Sequence, residues 1–179
     1  LLFSASAWAA PAGIMARAWV VIDQTSGREL ASYQADLPLA PASLTQLMTA
    51  YVLLSDIRKN KLSLGEALTV PESATEADGA RVFLKAGEQV SVDTLLQAML
   101  VQSASDATLA LVTATDGSEA AFVERMNREA KRLGMTKTRF MNATGLTEPG
   151  HESSARDLAL LSRALLRDFP ERQDFFTQK

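Results

Sequence analysis

The sequence predicts an α/β protein of the α+β type, a helical region packed on an antiparallel sheet that the chain leaves incomplete. Two observations carry this. Near the start lies a single hairpin pattern, with strand-like Ala18 to Ile22 and Glu29 to Tyr33 around a polar turn containing Ser26-Gly27. Four or five segments of helical periodicity follow it. Two main strands are marginal in water and need further strands or a covering layer. The 179 residues are therefore expected to hold part of a domain rather than all of it.

The first helix is expected from Ser43 to about Lys59. Leu44, Leu47, Met48, Tyr51, Val52 and Leu54 spread over most of its circumference, so it should run through the centre, with Leu47, Met48 and Tyr51 in the core. Ser43 and Gln46 stand three apart at its mouth, the spacing of a capping box in which each side chain closes an orphan N–H. "EALTV" and "EQVSV" read as short extended pieces flanking the loop "PESATEADGARVFLKAG". Val92, Leu95, Leu96 and Met99 space a helix from Val92 to Val101, "QSASD" breaks it, and Ala107 to Thr113 resumes it. Ser118 caps a helix to Leu133, and Gly134 follows as a helix terminator. "MNATGLTEPGHES" is a loop in which His151 reads as a surface residue. A last amphipathic helix runs from Ser154 to Asp168 before Pro170, with Arg156 and Asp157 in its first turn, where an aspartate suits the dipole.

Composition narrows the function. Hydrophobic residues make up 47% and charged residues 22%, the balance of a globular protein. A net charge of -3 without any basic run argues against nucleic acid as a partner. With no Cys and one His a closed zinc site is not expected, and no Gly-x-x-x-x-Gly-Lys loop is present to cradle phosphate. "LLFSASAWAAP" runs apolar and then small, with Ala7-Trp8-Ala9 in the A-x-A cleavage pattern, so residues 1–10 read as the tail of a signal peptide and the chain as exported. No later stretch reaches the roughly 18 apolar residues of a membrane span.

Five stretches, in order, carry a resemblance: "AWVVIDQTSGRELASYQAD", "PASLTQLMTAYVLL", "GARVFLKAGEQVSVDTLLQAMLVQSASDATLALV", "FVERMNREAKRLGMTKTRFMNATGL" and "PGHESSARDLALLSRALLRDFP". Together, over about Ala18 to Pro170, they resemble the penicillin-binding serine D-alanyl-D-alanine carboxypeptidases, the low-molecular-mass penicillin-binding proteins. The resemblance implies a β-lactamase/transpeptidase-like fold, with residues 11–179 as the N-terminal part of the peptidase domain. It also implies a periplasmic location, peptidoglycan stem peptides as substrate, β-lactams as inhibitors, and no metal or cofactor. Membrane association would come only through a C-terminal region that this sequence does not contain.

Family chemistry rests on Ser-x-x-Lys, Ser-x-Asn and a later Lys-Thr-Gly. The resemblance places Ser43 at the nucleophile position, but the lysine that would take its proton is Gln46 here. Ser103-Ala104-Ser105 stands where relatives carry Ser-Gly-Asn: Ser103 matches the proton-relaying hydroxyl, and Ser105 replaces the orienting amide. Read locally, Ser105 is a residue of the helix break. No Lys-Thr-Gly occurs. Lys85, in a segment resembling the loop that borders the family's active site, matches no catalytic position. Three readings follow: an acyl-enzyme carboxypeptidase acting through Ser43 but impaired by these changes, an inactive relative serving as a binding or scaffold module, and a truncated product.

Overall fold

A computed structural model describes residues 14–173 and 175. The candidate signal-peptide tail at residues 1–10 lies outside the described residues. Helix α1 (Thr45–Arg58) forms the centre, with Met48, Ala50, Val52, Leu53 and Leu54 at most 2% exposed and Tyr51 also buried. Its apolar residues face every direction because α3 (Val92–Gln102), α5 (Glu119–Arg132) and α6 (Ala155–Asp168) pack around it. Leu47 departs from expectation: it is half-buried, packed on the core's edge, where it forms part of a cleft wall.

The strands form two separate antiparallel pairs. Strands β1 (Trp19–Ile22) and β2 (Glu29–Tyr33) make the expected hairpin, with Trp19 opposite Tyr33 and a bulge between Val21 and Ile22. Its turn is closed by Asp23, whose carboxylate accepts from the Ser26 N–H at 2.7 Å. Arg163 of α6 reaches across the turn, donating from Nε to the Gln24 carbonyl at 2.8 Å. The guanidinium lies so near Gly27, at φ +74°, that a Cβ there would sit 2.7 Å from it. Strands β3 (Ala67–Thr69) and β4 (Gln89–Ser91), the two short extended pieces, pair with each other. The loop between them also contains a short helix, α2 (Glu72–Thr75), which its sequence did not announce.

Helix α4 (Ser105–Asp116) is longer than its apolar spacing indicated and begins at Ser105. Ser105 is thus a buried first-turn residue and not part of the break, which is confined to Ser103 and Ala104. Ser118 and Ser154 cap α5 and α6 through the Ala121 and Asp157 N–H groups. Arg125 ties α5 to α1 and α4, at 2.6 Å from both Asp56 and Asp116. Arg156 does more than occupy a first turn: it pairs with Glu29 and Asp36, joining α6 to the hairpin.

Candidate active site

Ser43 is exposed at the entrance to α1, and the backbone there is unusual. Residues Ala42–Leu44 form a single 3₁₀ turn, and α1 proper starts at Thr45. No side chain caps either segment. The capping-box reading of Ser43 and Gln46 is therefore corrected: neither side chain closes an N–H of the first turn. The turn is set by packing instead. Ala42 has φ +49°, uncommon for a residue with a side chain. Against it lies Gly145, at φ +91°, where a Cβ would come within 2.2 Å of the Ala42 oxygen. Only glycine permits that approach.

The segment around Gly145 is stitched to α1. The Asn142 side chain accepts from the Gly145 N–H at 2.8 Å, and Thr49 of α1 donates to the Ala143 carbonyl at 2.8 Å. His151, expected on the surface, is 4% exposed, and its burial corrects that expectation. Its Nδ1 accepts from the Met141 N–H at 3.0 Å, so Nε2 carries the proton and donates to Thr45 Oγ1 at 2.7 Å. Burial lowers its pKa below the ordinary histidine value, and Glu148 only partly opposes this. The neutral ring thus anchors the first residue of α1. It is a positioning group for the Ser43 turn.

On the other wall, Ser103 ends α3 in the left-handed region at φ 56° and donates to Gln46 Oε1 at 3.1 Å. Gln46 is buried, and its Nε2 has no hydrogen-bond partner, the one such buried side-chain atom found among the described residues. Ser43, Gln46 and Ser103 line one cleft of about 550 Å³ with Leu44, Leu47, Leu100, Val101 and Phe175. No ionisable side chain lines it among the described residues. Ser105 is not brought into that wall. Its N–H instead donates to the Ala80 carbonyl at 2.7 Å, and its Oγ lies under Gly79.

Beside Ser105, Asp106 is fully buried, and its two carboxylate oxygens accept from the Val82 and Leu84 N–H groups at 3.2 and 3.1 Å. It holds the 79–84 loop against α4. Asp106, Gly145 and His151 hold positions that the sequence did not announce as functional. The local signal for Gly145 was Asn142 three residues before a glycine, a side-chain-closed turn. Asp106 and His151 act across the fold and carry no local signal. No group of three or more His, Cys, Asp or Glu that could hold a metal occurs among the described residues.

Ser43 thus sits at the mouth of the central helix, walled by the end of α3. Residues 5–179 match the D-alanyl-D-alanine carboxypeptidase family, and the chain belongs to it. It is 41% identical over 189 residues to the D-alanyl-D-alanine carboxypeptidase DacC of Escherichia coli, covering 99% of this chain and 47% of that protein. Penicillin binding protein 5 from Haemophilus influenzae superposes with a TM-score of 0.92 at 35% identity, over 96% of this chain and 51% of that one. Penicillin-Binding Protein D2 from Listeria monocytogenes, solved in an ampicillin-bound form, gives a TM-score of 0.79 at 35% identity, over 90% and 65% of the two chains. The chain thus spans less than half the length of the curated relatives it matches, 47%, 39% and 44% for the first three.

Proposed function

We propose that residues 11–179 are the N-terminal part of a serine-type D-Ala-D-Ala carboxypeptidase domain, exported to the bacterial periplasm and directed at peptidoglycan stem peptides. Ser43 is the nucleophile position, and the cleft as written binds acyl-D-Ala-D-Ala ends without turning them over efficiently. The observation that carries this is the cleft's lining: Ser43 and Ser103 hydroxyls with a Gln46 amide and no ionisable group among the described residues.

In the family reaction the Ser43 Oγ would attack the carbonyl of the terminal peptide bond while a base takes its proton. D-Ala would leave with a returned proton, and water would then hydrolyse the acyl-serine. A serine hydroxyl is a weak nucleophile and needs that base. An amide cannot accept the proton near neutral pH, and the hydroxyl of Ser103 is already committed as donor to Gln46. Loss of a general base costs about 10²- to 10⁴-fold in rate. Losses within one catalytic unit do not add simply, so the Ser105 change is not a second independent factor.

The test is D-Ala release from a peptide ending in D-Ala-D-Ala, alongside equilibrium binding of the same peptide. Binding with release no faster than that of Ser43→Ala supports the reading. Release that Ser43→Ala abolishes would show a working base and overturn it. A scaffold role is the second reading, favoured by the same absence of a proton acceptor, and failure of any peptide to bind would leave it standing.

A further inference from the structure

The orphaned Gln46 amide lies at one end of the central helix, and its setting defines what could satisfy it. Gln46 is 3% exposed, and Ser103 orients its amide by donating to Oε1. Nε2 is left without a partner, in a residue that lines the Ser43 cleft. A buried donor in this state is satisfied only when an acceptor enters. The surroundings set that acceptor's charge. α1 is 14 residues long, and its first turn, at Gln46 and Leu47, lines the cleft. The N-terminal end of an aligned helix carries a partial positive charge. Capping side chains or first-turn carboxylates commonly offset it, and neither the Ala42–Leu44 turn nor α1 has one. No ionisable side chain among the described residues lines the cleft, so nothing described on its walls repels an anion. Ser43, one turn before Gln46, is exposed and adds a hydroxyl donor.

We propose that this cleft is a carboxylate site. One carboxylate oxygen accepts from Gln46 Nε2 and the other from the Ser43 hydroxyl, at the N-terminal end of α1. A carboxylate suits the place better than a neutral carbonyl, because it offers two acceptor oxygens and makes hydrogen bonds about twice as strong. Leu44, Leu47 and Leu100 supply apolar contact for a small substituent next to it. The inference rests on the reading that the cleft takes peptidoglycan stem peptides. Its ligand is then a stem already shortened to a single D-Ala, whose carboxylate falls where a longer stem presents the carbonyl facing Ser43. The Gln46 amide donates without taking or giving a proton, so the complex is a bound state and not a reaction step. In this chain the site holds shortened ends.

Equilibrium binding to the whole chain tests this with diacetyl-lysyl-D-Ala, its C-terminal amide, and diacetyl-lysyl-D-Ala-D-Ala. The shortened acid should bind about five- to tenfold tighter than its amide, the gain from a charge-assisted hydrogen bond at a helix N-terminus. Gln46→Met, which keeps the side-chain length and drops the donor, should remove most of that gain. Its melting temperature, expected at or above the parent's because an unpartnered buried donor is deleted, verifies the fold. Sodium acetate supplies the carboxylate alone. It should move the Gln46 side-chain amide protons downfield in NMR spectra of the parent, and less in Ser43→Ala. Equal affinity of the shortened acid and its amide, with the D-Ala-D-Ala peptide bound, would overturn the carboxylate site and spare the cleft reading. If no peptide binds but acetate still moves those protons, the carboxylate site stands and the stem-peptide reading falls. No response to any of the four would overturn both.

Discussion

The frame around Ser43 and the groups beside it differ in how completely they are built. The frame is over-determined: His151 holds Thr45, Thr49 holds the Ala143 carbonyl, and Gly145 packs on the Ala42 carbonyl. The reacting side has one hydrogen bond, from Ser103 to Gln46, and an amide nitrogen left without a partner. A buried unpartnered donor costs about 1–3 kcal/mol. On the proposed reading of Ser43, the architecture that presents a serine and the chemistry that arms it are separable, and this sequence keeps the first while altering the second.

The frame should break hardest at Gly145. In Gly145→Ala a Cβ meets the Ala42 oxygen at 2.2 Å in a backbone region unfavourable to alanine. Strain of that kind costs about 1–3 kcal/mol before the clash is counted, so we expect at least about 3 kcal/mol lost in denaturant melts. A loss below half of that would mean that the Ser43 turn is not held by this contact.

His151 sharpens the comparison through pH. Its folded pKa lies below the unfolded value near 6.5 because burial disfavours the charged ring. Below 6.5 the unfolded state binds more protons, so this contribution is complete above that pH and is lost as pH falls through the lowered folded value. Thermal stability measured from pH 7.5 to 4.5 should fall more steeply for the parent than for His151→Gln, which does not titrate. Parallel curves would show that the ring is not buried neutral.

The smallest expected effect concerns the hairpin. β1 and β2 pair only with each other among the described strands, and Val21 and Tyr33 are well exposed. Their amides should exchange faster than those of α1, whose residues are buried on all sides. Equal protection in a monomer would show that the hairpin edge is covered.

What the sequence made legible was periodic or local. The α1, α3, α5 and α6 patterns, the serine cap at 118, and the hairpin all lie within spans where neighbouring residues decide the outcome. What it hid was set by contacts between distant residues. Ser43 and Gln46 have capping-box spacing, yet Gly145, a hundred residues on, forces a 3₁₀ turn at that place. His151 has polar neighbours in sequence but is enclosed by Thr45, Met141 and Phe140. Of the site, the resemblance named Ser43, Gln46, Ser103 and Ser105. The structure gathers the first three around one cleft and turns Ser105 toward the 79–84 loop.

Labelling by a fluorescent penicillin tests the separation of frame from chemistry most directly. The unmodified chain should remain unlabelled, and Gln46→Lys alone should not rescue it. A base beside a ligand that is bound but not oriented for attack forgoes a proximity contribution of up to about 7–11 kcal/mol. Gln46→Lys with Ser105→Asn, in a chain extended by a relative's Lys-Thr-Gly region, should recover labelling that Ser43→Ala then abolishes. Robust labelling of the unmodified chain, lost in Ser43→Ala, would contradict the account by showing that Ser43 is armed as it stands.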